Sequence, residues 1–273
     1  MTASHHRATA EHLADLARAR LQAHWQTALE DGQPFEDKDD ASPVTAIDRA
    51  IEHELREAIA RHTPSFGVVG EEYPDHQRDA EYSWVLDPID GTKAFIAGVP
   101  VYGTLIALCR DGRPVLGVID LPIAGLRWVG VEGQPTRLNG EPVRTRPGTE
   151  LARALLASSN PESLPDTHLA AFARLRDATR WRLYGAACSA YANLARGRID
   201  LVADGGGMAP VDYCALVPVI EGAGGVISDW QGRPLGLGSG SSVLAAGDPQ
   251  LHRQALEHLH QACPPQGHKE DTP

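Results

Sequence analysis

Trp84-Val85-Leu86-Asp87-Pro88-Ile89-Asp90-Gly91-Thr92 is an apolar run that stops at an acid and turns at a second one. The run predicts a strand over 84–86. Pro88 stiffens its exit, and Asp90-Gly91 makes a tight turn into a short helix. Two carboxylates three residues apart on such a turn converge, and the Ile89 carbonyl between them is a further oxygen. Hard cations such as Mg²⁺ take this ligand set. The plainer alternative is that Asp87 caps the strand exit and Asp90-Gly91 is a solvent-exposed turn. On the pair alone, both readings stand.

Two further acidic positions bear on the choice. Gly70-Glu71-Glu72 closes another apolar strand, over 66–69, so a second strand end supplies carboxylates that need a counter-cation if they converge. Asp212 follows Ala209-Pro210 and precedes the apolar run 213–223; by itself it reads as a helix N-cap.

Around these points the hydrophobic periodicity lays out the chain. Leu13, Ala17, Leu21, Trp25 and Leu29 recur four residues apart and predict a helix over about 8–30. Ile47, Ile51, Leu55 and Ile59 predict a second, capped by Thr45 and ended by His62-Thr63-Pro64. Strands over 103–109, 115–121 and 126–131 follow at hairpin spacing and predict an antiparallel sheet. Strands over 155–158, 199–203, 226–229 and 243–246 alternate with helices, which is α/β character. The expected fold class is α/β with an α+β N-terminal portion. Residues 1–148 form that portion and carry most of the candidate ligands, 149–263 complete the site, and 264–273 are expected to be a disordered tail.

The chain has 273 residues and a formal net charge of -11, with no basic run, which argues against a nucleic-acid or anionic-membrane partner. Cys109, Cys188, Cys214 and Cys263 show no C-x-x-C spacing and read as reduced thiols. The N-terminal stretch lacks an apolar signal core and no run reaches membrane-spanning length, so a cytoplasmic location is expected. His258 and His260 read as the surface of a C-terminal helix, and Gly205-Gly206-Gly207 as a turn without nucleotide-loop spacing.

Taken together, Gly70-Glu71-Glu72, the DPIDGT run from Asp87 to Thr92, and Pro210-Val211-Asp212 leading to Glu221-Gly222-Ala223-Gly224-Gly225 resemble the inositol monophosphatase family. The order and separation of the motifs match from about residue 38 to residue 235. That resemblance implies a layered αβαβα sandwich and lithium-sensitive, Mg²⁺-dependent hydrolysis of small phosphate esters. It implies two to three Mg²⁺ ions held by Glu71, Asp87, the Ile89 carbonyl, Asp90 and Asp212. Gly91 and Thr92 would bind the phosphate through their N–H groups. A water activated by the cations and oriented by Thr92 and Asp48 would attack phosphorus, and Glu71 shares the catalytic role. The segment 38–48 resembles the family's mobile loop, with Lys38 a possible substrate contact, and family members are commonly homodimers.

The residues after the DPIDGT run, Lys93 to Pro100, and the run Ala215 to Glu221 look most like the histidinol-phosphatase branch. Histidinol phosphate is therefore the first expected substrate. Inositol monophosphate or another polyol or sugar phosphate is the alternative, and 3′-phosphoadenosine 5′-phosphate is a further one. Two departures bear on this. Ala187 stands where that branch has an Asp, and Asp204, an acid that would contact a cationic substrate, precedes an extra glycine. A catalytically silent, cation-responsive scaffold is the alternative of another class.

Overall fold

The computed structural model describes residues 2–31, 34–37 and 43–260. Lys38, the rest of the loop to Ser42, Cys263 and the tail expected over 264–273 lie outside the described residues.

Helix α1 (Ala3–Asp31) starts earlier than the apolar spacing predicts, because His6, Thr9 and Ala10 continue the buried face formed by Leu13, Ala14, Ala17 and Leu21. After the short strands β1 (Glu36–Asp37) and β2 (Pro43–Val44) comes α2 (Ala46–His62), with Thr45 at its N-cap and Asp48 as the third helical residue. A first sheet follows: β3 (Gly67–Gly70), β4 (Tyr82–Asp90), β5 (Gly103–Arg110), β6 (Arg113–Leu121), β7 (Leu126–Val131), β8 (Arg137–Leu138) and β9 (Glu141–Pro142), with the short helix α3 (Thr92–Ile96) after β4. Its seven strands lie in sequence order. β3 runs parallel to β4, and the other neighbours are antiparallel.

The second half contains β10 (Leu155–Ser158), α4 (Asp166–Asp177), β11 (Trp181–Tyr184), α5 (Ala187–Ala195), β12 (Leu201–Asp204), α6 (Pro210–Tyr213), α7 (Leu216–Gly222), β13 (Val226–Ser228), β14 (Val243–Ala246) and α8 (Pro249–His260). Its strands form a five-stranded sheet in the order β11-β10-β12-β14-β13. β11 is absent from the sequence reading because Trp-Arg-Leu-Tyr has no buried face to imprint alternation: all four residues are exposed.

Three cores stack these elements into five layers. On one face of the first sheet, Trp84, Leu86, Ile106 and Leu108 meet α1 and α2 through Leu13, Leu21, Ile51 and Leu55. On the other, Val85, Leu105, Ala107 and Ile119 meet Tyr191, Leu194, Tyr213 and Val219 of α5, α6 and α7, which also cover Val202 and Ala245 of the second sheet. Beyond that sheet, Leu156, Leu201 and Leu244 pack on Phe172, Leu175, Leu251 and Ala255 of α4 and α8. The αβαβα sandwich is thus present. Strands covered on both faces read as nearly continuous apolar runs, which is how β4 to β6 look in sequence. Among the described residues no helix is long and apolar enough to cross a membrane.

Candidate metal and phosphate site

The site begins with an irregularity in β4. From Tyr82 opposite Arg110 to Asp87 opposite Leu105 the pairing with β5 is regular, and then it slips so that Asp90 faces Gly103. Pro88 sits in the slip, where its missing N–H removes no ladder bond, and its carbonyl accepts the Thr104 hydroxyl at 2.8 Å. In an unbroken strand, residues 87 and 90 point to opposite faces. The extra residue of the bulge brings Asp90 to the side of Asp87, and Ile89 goes into the core under α1 and α2. Gly91 then takes φ 88°, the left-handed region, to start α3.

Asp212 arrives from far along the chain. It is the third residue of α6 rather than its N-cap, and one oxygen accepts the Ala209 N–H at 2.6 Å. Carboxylate oxygens of Asp87, Asp90 and Asp212 lie within 4.8 Å of one another. Glu71, exposed just beyond β3, has its carboxyl within hydrogen-bonding reach of Asp87. Its position depends on Glu52, fully buried on α2, whose carboxylate accepts the Glu72 N–H at 2.8 Å and Arg56 Nε at 2.8 Å. Gly70 leaves room for this carboxylate: a β-carbon there would lie 2.0 Å from Glu52 Oε1, so a larger residue would make the Glu52 side chain shift.

So many acids in one place hold their protons unusually tightly. Burial, followed by the charges of Glu71, Asp90 and Asp212, pushes Asp87 well above the ordinary carboxylate range. Asp212 is pushed up to about 8, by burial and then by Asp90. Asp90 is raised to about 6 by burial, against the opposing hydrogen bond from the Cys188 N–H at the start of α5. Asp87 Oδ1 is buried with no hydrogen-bond partner among the described residues. A bare buried carboxylate oxygen beside two further carboxylates fits a hard divalent cation, which takes oxygen ligands and cancels their repulsion.

The cavity around these groups measures about 640 Å³ and is lined by Ile89, Gly91, Thr92 and Lys93 on one side and by Ser159, Asn160, Gly185, Ala187, Gly205 to Met208 on the other. The first N–H groups of α3 have no carbonyl inside the helix to bond. The Thr92 hydroxyl donates to the Ile89 carbonyl at 3.0 Å. Asp48 is buried and raised to about 6, chiefly by burial, but its carboxylate accepts the Thr45 N–H at 2.8 Å and the Thr45 hydroxyl. No hydrogen bond joins Asp48 to Thr92 among the described residues.

Asp204 lines the cavity but is 4% exposed. Its carboxylate accepts the Ser158 hydroxyl (3.1 Å), the Ser159 N–H (2.7 Å) and hydroxyl (3.3 Å), and the Tyr191 hydroxyl (2.7 Å). It therefore ties the ends of β10 and β12 to α5. Glu52, Tyr191, Ser158 and Ser159 are residues the sequence did not flag. Glu52 left a trace, an acid beside Ile51 on an otherwise apolar helical stripe; the hydroxyls left none.

These features define a class: a five-layered α/β protein with an acidic, cation-fitting cavity between its two sheets. The profile of the inositol monophosphatase family matches residues 3–263, and the chain belongs to that family. It is 47% identical over 232 residues to the bifunctional phosphatase IMPL2, chloroplastic, of Arabidopsis thaliana, covering 82% of this chain and 67% of the relative. It is 36% identical to a histidinol-phosphatase of Chlorobaculum parvum, covering 74% of this chain and 77% of the relative. An inositol monophosphatase structure from Zymomonas mobilis superposes with TM-score 0.85 at 41% identity, over 96% of this chain and 100% of the other.

Proposed function

We propose that this chain hydrolyses small phosphate monoesters with Mg²⁺, and that the alcohol released is a neutral polyol. The observation that carries the hydrolytic reading is the convergence of carboxylate oxygens of Asp87, Asp90 and Asp212, together with a buried oxygen of Asp87 that lacks a donor among the described residues. Glu71 and the Ile89 carbonyl complete the ligand set. When bound, Mg²⁺ supplies positive charge for the phosphate and lowers the pKa of water. The chain does the rest. The N–H groups of Gly91 and Thr92 hold phosphate oxygens at the start of α3, the Thr92 hydroxyl orients the attacking water, and Glu71 is the exposed acid placed to take its proton. Asp48 acts through Thr45, holding the start of α2 beside Glu71.

The outer wall supports the substrate reading. Ser159, Asn160, Gly185, Ala187, Gly205 to Gly207 and Met208 present hydroxyl, amide and apolar surface, and Asp204 already has four donors. Among the described residues, an ammonium group entering here meets no uncommitted carboxylate outside the ligand cluster. Histidinol phosphate is the second reading, favoured by the C. parvum relative and by the negative charge of Asp204 beneath the cavity.

Phosphate release from inositol 1-phosphate, histidinol phosphate and 3′-phosphoadenosine 5′-phosphate, with Mg²⁺ or EDTA, tests both levels. Turnover is expected only with Mg²⁺, and with the highest kcat/KM on the inositol ester. Ala187→Asp should shift the preference toward histidinol phosphate by about tenfold, the scale of one charge-assisted hydrogen bond. Residue 187 has φ 46°, a conformation Asp accepts more readily than Ala. Tight Mg²⁺ binding without turnover on any ester would leave the scaffold reading instead.

A further inference from the structure

The segment Gly205 to Ala209 joins β12 to α6, and Gly205 to Met208 form the part of the cavity wall that lies away from α3. Among the described residues no backbone hydrogen bond holds Gly205 to Gly207. Three successive glycines have a wide choice of backbone conformation, and Gly207 uses it at φ 78°. Ordering such a segment costs more entropy than ordering any other, so something must hold it.

The hold comes from behind the wall. Nδ1 of His168, in the first turn of α4, bonds to the Gly205 carbonyl. A carbonyl only accepts, so the proton of that bond sits on Nδ1. The His168 ring lies against Trp230 with centroids 4.8 Å apart. Trp230 is buried and fixed in turn, with Nε1 donating to the Val243 carbonyl at 3.1 Å and its backbone N–H to the Ser242 hydroxyl at 3.2 Å. The glycines sit close on this support: a β-carbon at Gly205 would lie 2.4 Å from Trp230 Cη2, and one at Gly206 2.6 Å from Pro165 Cδ. Further along, the Met208 N–H reaches the Ser241 carbonyl at 3.4 Å and the Ala209 N–H reaches Asp212 at 2.6 Å, so the entry to α6 has anchors of its own.

We propose that His168 is a positioning residue for ester binding: through the Gly205 carbonyl it holds the glycine wall against which the alcohol part of the substrate rests. This deepens the proposed ester hydrolysis and rests on it. The metal ligands and the phosphate-binding N–H groups do not depend on the loop, so loosening it removes contacts that the ground state and the transition state share. KM then rises while kcat stays.

The test compares the full chain with His168→Leu, which keeps bulk without a donor, and His168→Asn, which carries an N–H one bond from Cγ as Nδ1 does. Steady-state turnover with Mg²⁺ on inositol 1-phosphate and on histidinol phosphate is read beside amide hydrogen exchange. His168→Leu is expected to raise KM about tenfold on whichever ester the wild type hydrolyses, with kcat changed by less than about twofold, and to speed exchange over residues 205–208. His168→Asn should restore both, and exchange over β4 should match the wild type in both variants, which shows that they fold. Equal losses in the two variants, a fall in kcat at constant KM, or wild-type exchange over 205–208 in His168→Leu would overturn the proposal. Absence of turnover by the wild type on any ester would instead sink the hydrolytic reading, and the exchange measurement would still decide whether His168 holds the loop.

Discussion

At the scale of single residues, Asp87 concentrates the physics of the site, because it combines full burial with three acidic neighbours and one bare oxygen. Its raised pKa, with Asp90 at about 6 and Asp212 at about 8, sets the sign of a pH effect. Between the ordinary carboxylate range and those values the native state holds protons that the unfolded chain has released, so without metal, stability falls as pH rises from about 4 to 8. On the proposed function, a divalent cation takes the place of those protons. The melting midpoint gained on adding Mg²⁺ should therefore grow from pH 5 to pH 8 in a thermal scan, and Asp87→Asn should flatten that growth while abolishing turnover. A gain independent of pH would contradict the assigned ligands. Thr92 gives a separate prediction: Thr92→Ala should lower kcat by about 10²-fold, and Thr92→Ser should retain most of it, since only the hydroxyl is required.

At the scale of elements, delivery of Asp212 depends on how closely α6 and α7 lie on the first sheet. A β-carbon at Gly117 of β6 would be 2.0 Å from the Ala215 carbonyl oxygen, and one at Gly130 of β7 would be 2.4 Å from the Pro218 carbonyl. These contacts are backbone to backbone, so no side-chain rotation relieves them. Gly117→Val is expected to destabilise the fold by about 3 kcal/mol, measured in urea, and to weaken Mg²⁺ binding by moving Asp212. A variant that loses stability but keeps its Mg²⁺ affinity would show that α6 is held by other contacts. The bulge in β4 is the complementary device, aligning Asp87 and Asp90 on one face within a single strand.

At the scale of the whole molecule, the outermost strand of the second sheet is the feature most at odds with an isolated chain. β11 carries Trp181 at 57%, Leu183 at 43% and Tyr184 at 44% exposure on a sheet edge that pairs with no further strand among the described residues. Exposed apolar edge strands invite pairing with another chain. We propose a homodimer in which a second copy covers this edge. Light scattering after size exclusion should give twice the chain mass, and Trp181→Glu with Leu183→Glu should give the monomer; an unchanged mass for the double variant would place the contact elsewhere.

Much of this was legible in the sequence because it is written in local chemistry. A strand that ends in acid, Pro88 and Gly91 at fixed offsets, and apolar periods of two and about four residues all act within a few positions of one another. They marked the longer strands, the first two helices and the acids worth considering, whereas the layered sandwich was implied by the family resemblance and β11 left no mark. What surrounds a buried carboxylate is a different matter, since its hydrogen bonds come from wherever the fold brings donors. The reading of Asp204 as a substrate contact held no hint of Ser158, Ser159 and Tyr191, which donate to it in the structure, and the reading of Asp48 as a partner of Thr92 held none of Thr45, whose N–H its carboxylate accepts. Asp212 joined Asp87 and Asp90 only through the close seat of α7 on glycines of two strands. The sequence by itself determined which carboxylates stand at element ends; tertiary structure alone decided which of them gather in one cavity and which donors each accepts from, because hydrogen-bond partners over such separations leave no periodic signal along the chain.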